Sequence, residues 1–400
     1  MGDQLTGEDR AVPFLSTRLQ NFGVTIFAEM SALAGRTGAI NLGQGFPDQD
    51  GPQVMLEAAI KAIRDGHNQY PPGPGTLELR QAVADHQERF YGLRCDPETE
   101  VLVTAGATEA ITAAMLALCE PDDEVIVFEP YYDSYAPAIA MAGARRRVVP
   151  LRSPTWNFDL EEFAAAFTAR TRLVLLNSPH NPTGKVFSAD ELAGIARVCV
   201  EGDVLVVTDE VYEHLVFEGR HIPLASMPGM SERTLTVSSA GKTFSLTGWK
   251  IGWICGPAPL VTAVRTAKQF MTYVNGAPFQ PAVAVGLGLP DEFFTATAKD
   301  LAARRDRLCD GLEEVGFTVL RPDATYFVMT DIRPFGDEDG MEFCRRLPER
   351  CGVVAIPASV LYDDRQAGRS LVRFAFCKRP DVIDDAVGCL RGLIETMPSR

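Results

Sequence analysis

The sequence predicts an α/β protein in which a mostly parallel, mixed sheet lies between helices in a large domain, with a smaller α+β domain attached. Three observations predict it. The middle of the chain alternates short apolar runs with amphipathic stretches. The apolar runs are continuous, as strands covered on both faces of a largely parallel sheet must be. Finally, 400 residues at 46% hydrophobic content exceed what one ordinary core accommodates.

The strands follow in order as VLVT at 101–104, EVIVFEP at 124–130, RLVLLNSP at 172–179, VLVVTDE at 204–210, TLTVSSA at 234–240 and IGWICGP at 251–257. Helical patterns separate them. TEAITAAMLALC follows Gly106, and SADELAGIARVCV follows Phe187 and opens with a Ser-x-x-Glu capping box. Upstream, Phe22, Ile26, Phe27, Met30, Leu33 and Ala34 fall near one helical face, and Gly35 is expected to stop that helix. Downstream of about residue 290, the arginine-rich AARRDRLCDGLEEVG precedes strand-like TYFVMT and LVRFAF. The expected division is residues 1–45 as an N-terminal segment packing with the small domain, 46–290 as the large domain and 291–400 as the small C-terminal domain.

Composition excludes several function classes. A formal charge of -15, from 53 acidic and 38 basic residues, repels phosphate backbones and anionic lipids, so neither nucleic acid nor membrane is an expected partner. The nine cysteines are scattered with no C-x-x-C pair, which suggests neither a disulfide framework nor a metal knuckle but small buried hydrophobes in a reducing compartment. The opening MGDQLTGEDRAVPF lacks a basic region followed by an apolar core, and no apolar stretch reaches about 18 residues, so a cytoplasmic location is expected.

Open α/β sheets bind ligands at the carboxyl ends of their strands, and polar residues collect there. Lys242 follows TLTVSSA through small residues that let a ligand approach, and desolvation with Lys250 nearby would lower its pKa toward a nucleophilic amine. Asp209 ends VLVVTDE and either caps the next turn or neutralises a protonated ring nitrogen. Gly106, Ala107 and Thr108 open a helix after a strand, where free N–H groups suit an anion. Asn181, in NSPHNPTG, is either part of a turn or a donor to a ligand. Arg373, among the apolar neighbours of LVRFAF, needs a carboxylate, which is either internal or part of a substrate.

NSPHNPTG, TDEVYEHLVF, SSAGKTFSLTGWKIGW and LVRFAF, in this order within a match over residues 20–395, resemble the class I/II aminotransferases of the pyridoxal-5'-phosphate (PLP) fold type I. INLGQGFPDQDGP, NQYPPGPGTLELR and EPYYDSY further resemble the branch of kynurenine, glutamine-phenylpyruvate and N-succinyldiaminopimelate aminotransferases. The resemblance implies that residues 46–290 bind PLP, with Lys242 as Schiff-base lysine and proton shuttle and Asp209 on the pyridine nitrogen. It also implies Asn181 and Tyr212 on the phenolic oxygen and Tyr131 stacked on the ring. Gly106, Ala107, Thr108, Ser239 and Lys250 would hold the phosphate, with Tyr70 reaching it from the partner subunit of a homodimer. Arg373 would grip the substrate carboxylate, with Asn181, Gly45, Phe27, Phe46, Asn275 and Gly276 shaping the substrate pocket. The implied reaction moves an amino group from an L-amino acid to a 2-oxo acid by a ping-pong mechanism. The alternative is another PLP reaction on the same fold, such as β- or γ-elimination, replacement or ring formation.

Overall fold

A computed structural model describes residues 14–396; the opening segment read above for a leader, and the first part of the 1–45 segment, lie outside the described residues. A seven-stranded sheet runs in the order Val101–Thr104, Gly252–Cys255, Thr234–Ser239, Leu205–Asp209, Thr171–Asn177, Glu124–Glu129, Arg145–Pro150. All neighbours are parallel except Gly252–Cys255, which is antiparallel to both of its partners. The six strands expected from apolar runs are present. Arg145–Pro150 was not expected, because three arginines open this edge strand and leave no continuous apolar run.

Helices flank the sheet, and their boundaries follow local chemistry. Ser188 caps Ala189–Glu201 by accepting from the Glu191 amide at 3.2 Å, while the Glu191 carboxylate accepts from the Ser188 amide at 2.9 Å, so the capping box is formed. The first long helix runs Ile26–Thr37 and buries Ile26, Met30 and Ala34. It does not stop at Gly35. Its cap is Gly38 at φ +67°, the left-handed conformation in which a Cβ is strained, whereas Gly35 keeps helical geometry in open space.

A second sheet, Ile356–Pro357, Leu371–Ala375, Phe327–Asp331 and Thr318–Leu320, is antiparallel throughout. The 25-residue helix Asp291–Val315 packs beside it. Near the N-terminus, Ile40–Asn41 pairs in parallel with Val353–Val354, so the early chain is stitched to the late chain. One hydrophobic core joins Ile26, Met30, Leu42, Leu308, Leu312, Val328, Phe374 and Phe376. Among the described residues no helix is long and apolar enough to cross a membrane.

Candidate active site

Strand pairing brings the polar strand ends together. Asn177 lies opposite Asp209 in register, and both Thr104 and Ser239 lie opposite Gly252. These ends border a cavity of about 2460 Å³ that reaches from the first long helix to the second sheet. Its wall includes Phe27, Gly45, Phe46, Gly106, Ala107, Thr108, Tyr131, Asn181, Asp209, Tyr212, Ser239, Lys242, Lys250 and Arg373.

Lys242 sits on the short helix Ala240–Thr243, directly after the strand Thr234–Ser239. Its Nζ lies 5.8 Å from the Tyr212 ring centre and 5.7 Å from that of Tyr326. Burial lowers its pKa to about 8, opposed by Cys377 and Asp209 and assisted by Lys250 and Arg373. A larger share of the amine is therefore neutral near pH 7 than for a lysine in water. Asp209 is buried and accepts from the Tyr135 hydroxyl at 2.6 Å; desolvation raises its pKa. Asn177 donates to the backbone oxygen of Asp209 at 2.8 Å, which fixes where this carboxylate begins.

At the other end of the cavity, the helix Gly106–Leu118 begins with N–H groups that have no partner within the helix. Gly106 has φ +77°, and a Cβ there would stand 3.2 Å from the Lys250 ammonium. A Cβ on Gly252 would lie 2.7 Å from the Gly106 carbonyl carbon and 3.0 Å from the Ala107 nitrogen. Only glycines allow this cradle of amides, a hydroxyl at Ser239 and a cation at Lys250 to close. Its donor set fits a phosphate. Lys250 itself is held in the left-handed region, and Asn275 donates to its carbonyl at 3.1 Å.

Arg373 is 2% exposed. Its Nη1 donates to the Asn181 side-chain oxygen at 3.0 Å and its Nη2 to the Gly43 carbonyl at 3.2 Å. Phe327 stacks 3.9 Å from its carbon centre, and Phe27 lies 5.0 Å away. The described ion pairs give Arg373 no carboxylate partner, and its Nε is buried without a hydrogen bond. Burial lowers its pKa to about 10, a sign of a cation kept dry without full compensation.

Tyr131, Asn275, Gly276 and Tyr70 take up different positions relative to the cavity. Tyr131 lines the cavity, but its hydroxyl is bonded to Asp363 beside Arg146. The aromatic neighbouring Asp209 is Tyr132, whose hydroxyl meets that of Thr108 and which also feels Arg373. The pair Tyr131–Tyr132 was visible in EPYYDSY, but which ring faces inward depends on how the chain leaves the strand. Asn275 and Gly276 do not border the cavity; Asn275 instead supports the backbone at Lys250 and Thr104. Tyr70 is 81% exposed outside its own cavity, with its ring 5.6 Å from that of Tyr273. Residues that sequence reasoning passed over are Tyr132, Tyr135, Asn177 and Tyr326, each recruited by contacts across the fold rather than by a local pattern.

Three ligand-bearing side chains also meet away from the cavity. His86, Glu213 and His214 bring their ligand atoms within 4.8 Å of one another. The two imidazoles hydrogen-bond, Nε2 to Nε2 at 2.7 Å, and Glu213 accepts from Ser238 at 2.6 Å. His86 and Glu213 are buried and His214 half-buried, and His86 Nδ1 and Glu213 Oε2 have no hydrogen-bond partner among the described residues.

Residues 37–388 match the family aminotransferase class I and II. A probable N-succinyldiaminopimelate aminotransferase of Mycobacterium tuberculosis is 55% identical over 390 residues, covering 95% of this chain and 98% of that protein. A methionine aminotransferase of Escherichia coli is 40% identical over 378 residues, covering 94% and 98%. The solved structure of N-succinyldiaminopimelate aminotransferase from Mycobacterium tuberculosis superposes with a TM-score of 0.93 at 56% identity, over 95% of this chain and all of that one. The chain therefore belongs to the class I and II aminotransferases, PLP-dependent enzymes that carry an amino group from an amino acid to a 2-oxo acid.

Proposed function

We propose that this aminotransferase binds PLP through Lys242, Asp209 and the cradle at Gly106, and its substrate carboxylate through Arg373. The observation that carries the reading is Arg373 itself: a buried guanidinium with a free Nε, no carboxylate of its own and an aromatic floor at 3.9 Å. PLP supplies a carbonyl that takes up the amino group and a protonated ring that accepts the electron pair left at Cα.

The chain's own groups do the rest. Asp209, a buried carboxylate, holds the ring proton. Asn181 keeps its oxygen on Arg373, which leaves its NH₂ to donate, together with the Tyr212 hydroxyl, to the phenolic oxygen. Tyr132 is the ring-covering aromatic. Ala107, Thr108, Ser239 and Lys250 bind the phosphate. Arg373 fixes the α-carboxylate and so orients the Cα–H bond. Lys242 would hold the cofactor through Nζ and, once that amine is free, would carry the Cα proton, first as base and then as acid. A second 2-oxo acid reverses the sequence.

The assembly is inferred to be a homodimer with shared sites. The cavity far exceeds the roughly 300–1,000 Å³ of a small-molecule site, which supports a second chain closing it. Tyr70, Phe270, Met271 and Tyr273 leave apolar surface exposed on one side, where such a chain would pack. Nine free cysteines support a reducing compartment, the cytoplasm, as its place.

The test is a half-reaction. Holoenzyme mixed with N-succinyldiaminopimelate, methionine, kynurenine, glutamine or glutamate, without an acceptor, should pass from the aldehyde-form to the amine-form absorbance of the cofactor with one equivalent of 2-oxo acid. Borohydride should fix the cofactor on Lys242. Failure of every donor, or attachment to another lysine, would sink the reading.

A further inference from the structure

Tyr326 is buried deep beside the cavity and belongs to none of the groups named above as contacting cofactor or substrate. Its hydroxyl donates to the Gly45 carbonyl at 2.6 Å, across 281 positions of sequence. The ring of Tyr326 stands edge-on to that of Tyr212, with centres 5.3 Å apart. Lys242 Nζ is about equally far from both rings, 5.7 and 5.8 Å from their centres.

The backbone is strained at the residue before it. Thr325 is fully buried with φ +72°, a conformation that β-branched residues rarely adopt. It is held there from several sides. Its amide donates to Leu215 O at 2.8 Å, its hydroxyl accepts from the Phe327 amide at 3.3 Å, and Tyr326 O accepts from the Phe376 amide at 2.9 Å.

In a regular strand, successive side chains point to opposite faces. After the turn at Thr325, Tyr326 and Phe327 nonetheless reach one site, their ring centres 4.8 Å apart. Phe327 stacks on Arg373, and Tyr326 abuts Lys242 and Tyr212. Both press on Gly45, where a Cβ would stand 2.4 Å from Phe327 Cζ and 3.0 Å from Tyr326 Cε2. The second sheet, the segment at Gly45 and the turn at Tyr212 therefore meet at one phenol.

We propose that Tyr326 is a positioning residue for amino transfer, its hydroxyl anchoring its ring to the substrate-facing Gly45 segment and that ring backing Tyr212, so setting where Tyr212 meets the cofactor. The proposal rests on the cofactor placement given above. Tyr326→Phe keeps the ring and removes only the tie, so the holoenzyme should fold and load cofactor as wild type does. Its KM for the amino donor should rise and its kcat fall, together lowering kcat/KM roughly three- to tenfold, as expected for one lost hydrogen bond. The pH midpoint of the bound cofactor's absorbance should shift in the same direction as in Tyr212→Phe, by roughly half a unit.

Because Tyr326 is held to act through Tyr212, the two substitutions should be non-additive, with Tyr326→Phe adding little in a Tyr212→Phe background. Wild-type kinetics and titration in Tyr326→Phe, or full additivity, overturn the proposal. So does an activity loss that merely tracks loss of folded or loaded protein, as core packing alone would give. If Tyr212→Phe itself leaves the absorbance titration unmoved, the cofactor placement fails instead, and the two failures are told apart.

Discussion

Arg373 and Asn181 are joined by a hydrogen bond of 3.0 Å although 192 positions separate them in the chain. One belongs to the antiparallel second sheet and the other to the loop after a strand of the large sheet. The bond couples the group proposed to grip the substrate to a group proposed to touch the cofactor, so a substrate carboxylate that pulls on Arg373 also orients Asn181.

Arg373→Lys should keep the charge but lose the planar fork and the contact with Asn181. We expect the donor KM to rise roughly 10- to 100-fold, the range for charge-assisted hydrogen bonds, with cofactor affinity changed far less. Half-reaction rates against donor concentration, with the cofactor dissociation constant measured separately, check this. Equal losses in both would argue that Arg373 is only a brace.

Gly252→Ala places a Cβ against the backbone of Gly106 and Ala107, which cannot move without opening the helix end. Apoenzyme should lose its thermal stabilisation by inorganic phosphate, and its affinity for PLP should fall more than about tenfold, given the worth of charge-assisted donors. Undiminished stabilisation by phosphate would place the anion elsewhere.

Tyr70→Ala and Lys242→Ala should each be inactive or nearly so. If Tyr70 serves the partner's site, mixed subunits should regain up to about a quarter of wild-type activity, the statistical yield of one intact site in every second dimer. Verified exchange without recovery would mean that each chain completes its own site.

Acid should weaken the fold through its buried histidines. Burial lowers His180 and His214 to about 3, for His214 against the pull of Glu213, and for His180 with help from Lys185. Their unfolded value is about 6.5. Between these values the unfolded chain binds more protons, so stability is full above about pH 6.5 and declines as pH falls toward 3. The urea midpoint should drop between pH 7 and pH 5, and His214→Gln should flatten that slope. An unchanged slope would show that other groups carry the acid dependence.

The positions of Lys242, Asp209 and the Gly106 turn were legible because each is a polar break at the end of an apolar run, a local pattern that parallel strands impose. The capping box at Ser188 was legible for the same reason, since its partners lie three residues apart. The strand Arg145–Pro150 was not, because an edge strand relies on its neighbour rather than on its own apolar pattern. Likewise, the helix end at Gly38 rather than Gly35 depends on which glycine takes positive φ, which composition alone does not decide.

Within the site, the sequence by itself determined which chemical groups are available: an amine, a carboxylate, a glycine-lined cradle and a buried guanidinium. Tertiary structure decided their company. It turned Tyr132 rather than Tyr131 toward Asp209, left Arg373 with no carboxylate in ion-pair contact among the described residues, and brought Tyr326 against Gly45 and near Lys242. Each of these depends on contacts between segments far apart in the chain, and periodicity within one segment carries no information about what another segment will place against it.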